Sequence, residues 1–65
     1  MAVIDMILQK EGTTVCSYED YCPPTVGTLV KYQGQQYTVT GVVLRPFPES
    51  KLIETSQYTV YLRKS

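Results

Sequence analysis

The sequence contains no histidine and no tryptophan, and its only phenylalanine is Phe47. Without histidine, acid–base catalysis would fall to carboxylates, lysine, tyrosine or cysteine, and zinc would lack its commonest nitrogen ligand. The four glycines stand singly, so no glycine-rich phosphate loop is present. Glu19 and Asp20 are adjacent, so on a strand they would point to opposite faces and could not share a proton. These absences predict a protein that is not an enzyme and that binds no cofactor or metal.

The chain has no net charge, because six basic residues balance six acidic ones. A neutral protein lacks the electrostatic attraction that drives most binding to nucleic acids and membranes. The charges are nevertheless unevenly spread: residues 1–30 have a net charge of −3, and residues 31–65 have a net charge of +3. Either this division is chance among twelve charges, or the molecule has one acidic and one basic end.

No stretch approaches the roughly 20 apolar residues that span a bilayer. Asp5 interrupts the apolar start of the chain, which also lacks the basic region and cleavage site of a signal peptide. We therefore expect a soluble, cytoplasmic protein. In that reducing compartment Cys16 and Cys22 would be free thiols, whereas export would allow a disulfide between them.

With 65 residues, the chain is long enough for one small domain, 1–65. A domain of this size buries only about 60% of the surface that its unfolded chain exposes. Its core supplies roughly 3–5 kcal/mol of net stability. We expect function to reside on the outer surface, because so thin a core leaves little room for a deep pocket.

The stretch VGTLVKYQGQQYTVTGVV, residues 26–43, has the alternating pattern of two β-strands joined by a tight turn. A type II′ turn with Gly34 first in the loop would place Tyr32 opposite Tyr37 and Val30 opposite Val39. We predict this register, which puts an aromatic and an aliphatic pair on the buried face, together with Val43. The competing register places a type I′ turn at residues 33–34.

The final segment, QYTVYLRKS, predicts another strand, with Tyr58, Val60 and Leu62 on its buried face. Near the start, residues 3–9 are predicted to pair with 13–18 around a left-handed Gly12. The alternative is an N-terminal helix that ends at Gly12. Prolines predict loops over residues 19–24 and 45–51, with a short strand at 52–53.

These features predict an all-β fold: a small, curved antiparallel sheet of about five strands, closest to an SH3-like barrel. An OB-like barrel, or an open sheet with a short N-terminal helix, is the alternative. SYEDYCPP, residues 17–24, resembles the tyrosine- and acid-bearing segment of peptide-binding SH3 domains. Those domains use a tryptophan that this chain lacks, so the resemblance is kept for the barrel geometry alone.

The tyrosines are the strongest indication of function, since six occur in so short a chain. Exposed tyrosines favour protein interfaces, because they offer contact area at low entropic cost. We predict a non-enzymatic interaction or assembly module whose contact patch comprises Tyr18, Tyr21, Phe47 and Tyr61. Its strand edges would serve β-augmentation by a protein partner or the formation of a homodimer.

The alternative function is single-stranded nucleic-acid binding, with bases stacked on tyrosine and phosphates contacted by cations. Its candidate residues are Lys31, Tyr37, Arg45, Arg63 and Lys64, with Tyr61 as a second stacking platform. Steep weakening of oligonucleotide binding with salt would distinguish it from the interaction module.

Overall fold

A computed structural model describes residues 2–45 and 57–65 of the chain. Phe47 and the short strand predicted at 52–53 lie outside the described residues, as does most of the loop predicted over 45–51.

The described residues form five β-strands and no helix, which confirms the all-β prediction. The strands are β1 (Ala2–Leu8), β2 (Thr14–Asp20), β3 (Leu29–Tyr32), β4 (Gln35–Arg45) and β5 (Gln57–Lys64). They join in the order β2-β1-β5-β4-β3 as one strongly curled sheet, a half-barrel consistent with small SH3-like or OB-like barrels.

The sheet is mixed, whereas a wholly antiparallel sheet was predicted. β1 and β5 are parallel, and the other three neighbouring pairs are antiparallel. Hairpin turns force antiparallel pairing only between strands that they connect directly, and no turn connects β1 to β5. No local turn therefore fixes the direction of β5 relative to β1.

The N-terminal hairpin was predicted correctly, and the alternative N-terminal helix is not formed. Gly12 has φ +74°, in the left-handed region that glycine adopts at little cost. Its amide donates to the Leu8 carbonyl at 2.7 Å, and the Leu8 amide donates to the Thr13 carbonyl at 2.8 Å. β2 continues through Asp20, so the strand includes two residues that were predicted to lie in a loop.

The β3–β4 hairpin differs from the predicted register by two residues. Tyr32 pairs with Gln35 and Val30 pairs with Tyr37, so residues 33–34 form the two-residue loop. Gln33 has φ +51° and Gly34 has φ +80°, which are the signs that a type I′ turn requires. Because the shift is even, Val30, Tyr32, Tyr37 and Val39 remain on the same face.

The core lies on the concave face of the half-barrel. Its buried side chains come from the three central strands: Ile4, Met6, Tyr37, Val39, Val60 and Leu62. Val30 and Tyr58 pack against this cluster from the sides, in agreement with the predicted buried faces. Tyr32 is also on this face but remains 37% exposed, because it belongs to an edge strand.

A β-bulge in β4 reverses the predicted orientation of Val43. Val39 pairs with Leu62 and Gly41 pairs with Tyr61, so Thr40 is the extra residue. Its hydroxyl donates to Gln9 Oε1 at 2.7 Å. Beyond the bulge, Val42 packs against the core and Val43, predicted to be buried, is 46% exposed.

Candidate strand-edge groove

The half-barrel is open between its two outermost strands, β2 and β3. No Cα atom of β2 lies within 8 Å of one in β3. Paired strands lie about 4.8 Å apart, so these two strands are not bonded to each other. Within residues 2–45 and 57–65, no strand pairs with the outer side of either. Among the described residues, both edges therefore present backbone groups that no strand pairs with.

An apolar groove of about 500 Å³ lies between the two edges. Met6 of the core contributes to its floor, and Tyr18 of β2 and Tyr32 of β3 contribute to its walls. The two tyrosines are 36% and 37% exposed. The other lining residues are Cys16, Pro24, Leu29 and Val30, together with the polar Ser17 and Thr28. Apolar side chains with half-exposed phenol rings are typical of a surface that receives another chain.

Strand alternation explains why these side chains point into the groove. Tyr18 pairs with Ile4 and Cys16 pairs with Met6 across the β1–β2 ladder, and both partners are buried in the core. Paired residues of neighbouring strands share a face, so Tyr18 and Cys16 also point to the concave side.

The two edges carry opposite charges. β2 ends with Glu19 and Asp20, and β3 carries Lys31; all three side chains are exposed. The Asp20 carboxylate accepts a hydrogen bond from the Tyr21 amide at 2.7 Å, where the strand ends. Part of the charge asymmetry of the sequence therefore lies at the two edges of the sheet, with acidic residues in β2 and a basic residue in β3.

Of the four residues predicted to form one contact patch, the structure describes Tyr18, Tyr21 and Tyr61, and it places Tyr61 on a different face from Tyr18. Tyr18 lines the groove, and Tyr21, which is 82% exposed, follows directly after β2. Tyr61 pairs with Ile7 and Gly41 on the convex face, where its ring would lie 3.6 Å from a Cβ at Gly41. Phe47 lies outside the described residues. Tyr18 therefore lies in β2 and Tyr21 directly after it, whereas Tyr61 belongs to a different surface.

The residues predicted for nucleic-acid binding differ in their exposure to solvent and in their partners. Tyr37 is only 8% exposed, so its ring offers no face on which a base could stack. Arg45 is held in an ion pair with Asp5, with Nη2 2.7 Å from Oδ2. Lys31, Arg63 and Lys64 remain exposed.

The Asp5 network, which sequence reasoning missed, crosses four strands on the convex face. The Ser17 hydroxyl donates to Asp5 Oδ1 at 2.6 Å, and Arg45 reaches Oδ2 from the far side of β5. The Ser17 hydrogen bond and the Arg45 guanidinium hold the pKa of Asp5 below its usual value of 3.8, against the opposing effect of burial. The signal in the sequence was an acidic residue inside an otherwise apolar strand.

This network should make stability depend on pH. Since the pKa of Asp5 is lower in the folded state, its contribution is present above 3.8 and is lost as the pH falls through the folded value. We expect the thermal midpoint of wild type to approach that of Asp5→Asn between about pH 6 and about pH 2. Ser17→Ala should reduce the same pH dependence. Parallel curves for wild type and Asp5→Asn would contradict this prediction.

The two cysteines are free and occupy different environments. Cys16 lines the groove, where burial raises the pKa of its thiol, whereas Cys22 is exposed beyond β2. Because the thiolate is the reactive form, we expect iodoacetamide to modify Cys22 at least about fivefold faster than Cys16 near neutral pH. Peptide mapping by mass spectrometry measures the two rates, and equal rates would show that Cys16 is not shielded.

The chain matches no protein-family model, no curated protein and no solved structure. The described residues contain no group of three or more metal-ligating side chains that could hold an ion. They also include no helix that is long and apolar enough to cross a membrane.

Proposed function

We propose that this chain is a non-enzymatic interaction module that binds an extended segment of a protein partner along the groove between β2 and β3. The observation that carries the proposal is the apolar, tyrosine-lined groove flanked by two strand edges with which no described strand pairs. An added strand would hydrogen-bond to an edge through its backbone and place alternate side chains over the groove floor. The two free thiols suit a reducing, cytoplasmic location.

The chemistry of the groove supports binding rather than catalysis. Cys16 is the strongest nucleophile among its lining residues, and burial keeps it in the unreactive thiol form by raising its pKa. Burial also raises the pKa of Tyr18, with the Asp20 charge as a smaller cause, so the phenol stays neutral. A neutral phenol supplies apolar contact area and one hydroxyl group, which suits peptide recognition.

The proposal is tested by selecting short peptides from a random displayed library on the immobilised protein. We expect enrichment of peptides whose apolar residues alternate, because one side of an extended chain would face the groove. Tyr18→Ala should weaken the binding of a selected peptide by about tenfold or more, which is typical of removing an interface tyrosine. Fluorescence polarisation measures the change.

Tyr61→Ala is the matched control, because it removes the same ring from the convex face. It should leave peptide affinity unchanged, with circular dichroism confirming that both variants fold. A bound peptide should also slow the alkylation of Cys16 and leave that of Cys22 unaffected. Either the absence of any enriched peptide motif, or equal binding to wild type and Tyr18→Ala, would overturn the proposal.

A further inference from the structure

The two free edges are complementary in direction and in charge. β3 runs antiparallel to β4, β4 antiparallel to β5, β5 parallel to β1, and β1 antiparallel to β2. β2 and β3 therefore run in opposite directions within the sheet. β2 carries an exposed glutamate, Glu19, on its convex face, and β3 carries an exposed lysine, Lys31, on the same face.

We propose that the partner is a second copy of this chain, with β3 of each copy pairing antiparallel with β2 of the other. The inference rests on the proposed function and identifies its partner. Lys31 of one copy lies opposite Glu19 of the other, and the two half-barrels close into a single barrel.

The charge pair fixes the register of this contact. In an antiparallel pair, one step forward on one strand is one step back on the other. With Lys31 opposite Glu19, Tyr32 is therefore opposite Tyr18, and Leu29 is opposite Tyr21. The first two pairs each share a face: the two charges are convex, and Tyr32 and Tyr18 are concave. A shift by one residue would mismatch the faces, and a shift by two would separate the charges.

Cross-strand pairs of opposite charge and of aromatic residues are among those that stabilise sheets. The same contact covers two of the most exposed apolar side chains near the edges, Tyr21 and Leu29. Like charges directly opposite each other are destabilising. The acidic end of β2 therefore disfavours pairing of β2 with β2 of another copy, and Lys31 disfavours pairing of β3 with β3.

Two-fold symmetry makes the assembly finite. A rotation of 180° about the barrel axis preserves strand direction, so it brings β2 of the second copy antiparallel to β3 of the first. The same rotation forms an identical second seam between the remaining edges. The result is a closed dimer with no free edge among the described strands, which removes the hazard of open-ended strand addition.

Charge reversal tests this arrangement. Glu19→Lys and Lys31→Glu each place like charges opposite each other at both seams of a homodimer. We expect each variant alone to dimerise about a hundredfold more weakly than wild type, since repulsion replaces attraction in two cross-strand pairs. Sedimentation equilibrium measures the dissociation constants, and circular dichroism verifies folding.

Mixing the two variants is the decisive experiment, because it tests whether opposite charges on two different chains restore dimerisation. In a mixed dimer, each seam again joins opposite charges, so we expect heterodimers to form with an affinity close to that of wild type. An ion pair between residues 19 and 31 of the same chain could not produce this result, because each variant chain carries like charges at these two positions. Glu11→Lys and Lys64→Glu are matched control reversals outside the proposed seam and should leave dimerisation unchanged.

A covalent probe tests the register independently. Glu19→Cys and Lys31→Cys, each in a Cys16→Ser, Cys22→Ser background, are mixed and oxidised with copper–phenanthroline. Directly opposed residues of antiparallel strands have Cα separations compatible with a disulfide, so a cross-linked heterodimer should dominate. Cross-linking no greater than for a Glu11→Cys and Lys31→Cys mixture would overturn the register.

The inference is also overturned if wild type is monomeric at all accessible concentrations, or if its dimer is indifferent to both charge reversals. A monomer that still binds selected peptides in a Tyr18-dependent manner would leave the proposed function standing and refute only the second copy as partner. A monomer that binds no peptide would refute both.

Discussion

Replacing Val39 with aspartate should unfold the domain. Val39 is 1% exposed at the centre of the core, and no cationic side chain belongs to the buried cluster around it. An unpaired carboxylate there would remain ionised at a cost of several kcal/mol, or would raise its pKa and be buried as an unsatisfied acid. A domain of this size has roughly 3–5 kcal/mol of net stability, so either outcome removes most or all of it.

Val43→Asp is the matched control, because it makes the same substitution four residues later on the same strand. Val43 is on the convex face beyond the Thr40 bulge and is 46% exposed, so the new carboxylate would remain in contact with water. We expect the loss of stability to stay below about 1 kcal/mol, as for most surface substitutions. Thermal and urea denaturation followed by circular dichroism compare the two. Equal destabilisation would show that the bulge is misplaced.

Gly34→Val should lower the free energy of unfolding by about 2 kcal/mol, less than Val39→Asp but more than a surface substitution. Gly34 has φ +80° in the type I′ turn, where a β-branched side chain is strongly disfavoured by its own backbone. Apart from the two adjoining residues, no described atom lies within 4 Å of a Cβ built at this position, so the cost comes from the backbone conformation and not from a clash. Gly34→Asn should cost much less, since asparagine tolerates left-handed backbone.

Gly41→Ala tests whether the effect depends on conformation or on the loss of any glycine. Gly41 lies in β4 without a positive φ, and an added Cβ would meet Tyr61 Cδ2 at 3.6 Å, an ordinary contact distance. Alanine there should be neutral or stabilise the domain by about 0.5 kcal/mol, because it restricts the unfolded chain. Urea midpoints measure both changes. If Gly34→Val were as harmless as Gly41→Ala, the turn assignment would be wrong.

The strands and their buried faces could be predicted from sequence because the alternation of apolar residues is a local signal. Tyr58, Val60 and Leu62 show it clearly, and all three belong to the core or pack against it. The alternation fails at Val43, because a bulge changes which side chains point inward without leaving a recognisable residue pattern. Thr40, the extra residue, has a side chain that is common in regular strands.

The hairpin register was missed for a related reason. Both registers keep the same side chains on the buried face and place Gly34 in the loop, so the pattern of apolar residues could not separate them. The observed turn requires a positive φ at Gln33, where asparagine or glycine would have been a recognisable signal. Beyond the turn, backbone hydrogen bonds from Gly27 to Val39 and from Val39 to Thr28 continue the observed pairing.

The groove could not be predicted because it depends on which strands are outermost in the sheet. Tyr18 was identified as a contact residue from its type and its position near the acidic segment. Tyr32 was predicted to lie in the core. It lines the groove instead, because β3 is an edge strand whose only neighbour among the described strands is β4. That outcome depends on the pairing of β1 with β5, which are far apart along the chain and leave no local signature.

The central position of the β1–β5 pair has a consequence for synthesis of the protein. The β1–β2 hairpin leaves the ribosome before β5, which is its only other neighbour in the described sheet. Until β5 emerges, the nascent hairpin carries Ile4 and Met6 uncovered, and a two-stranded hairpin alone is marginally stable. Because this pairing joins segments at large sequence separation, we expect it to slow folding and to be completed only after β5 has been synthesised.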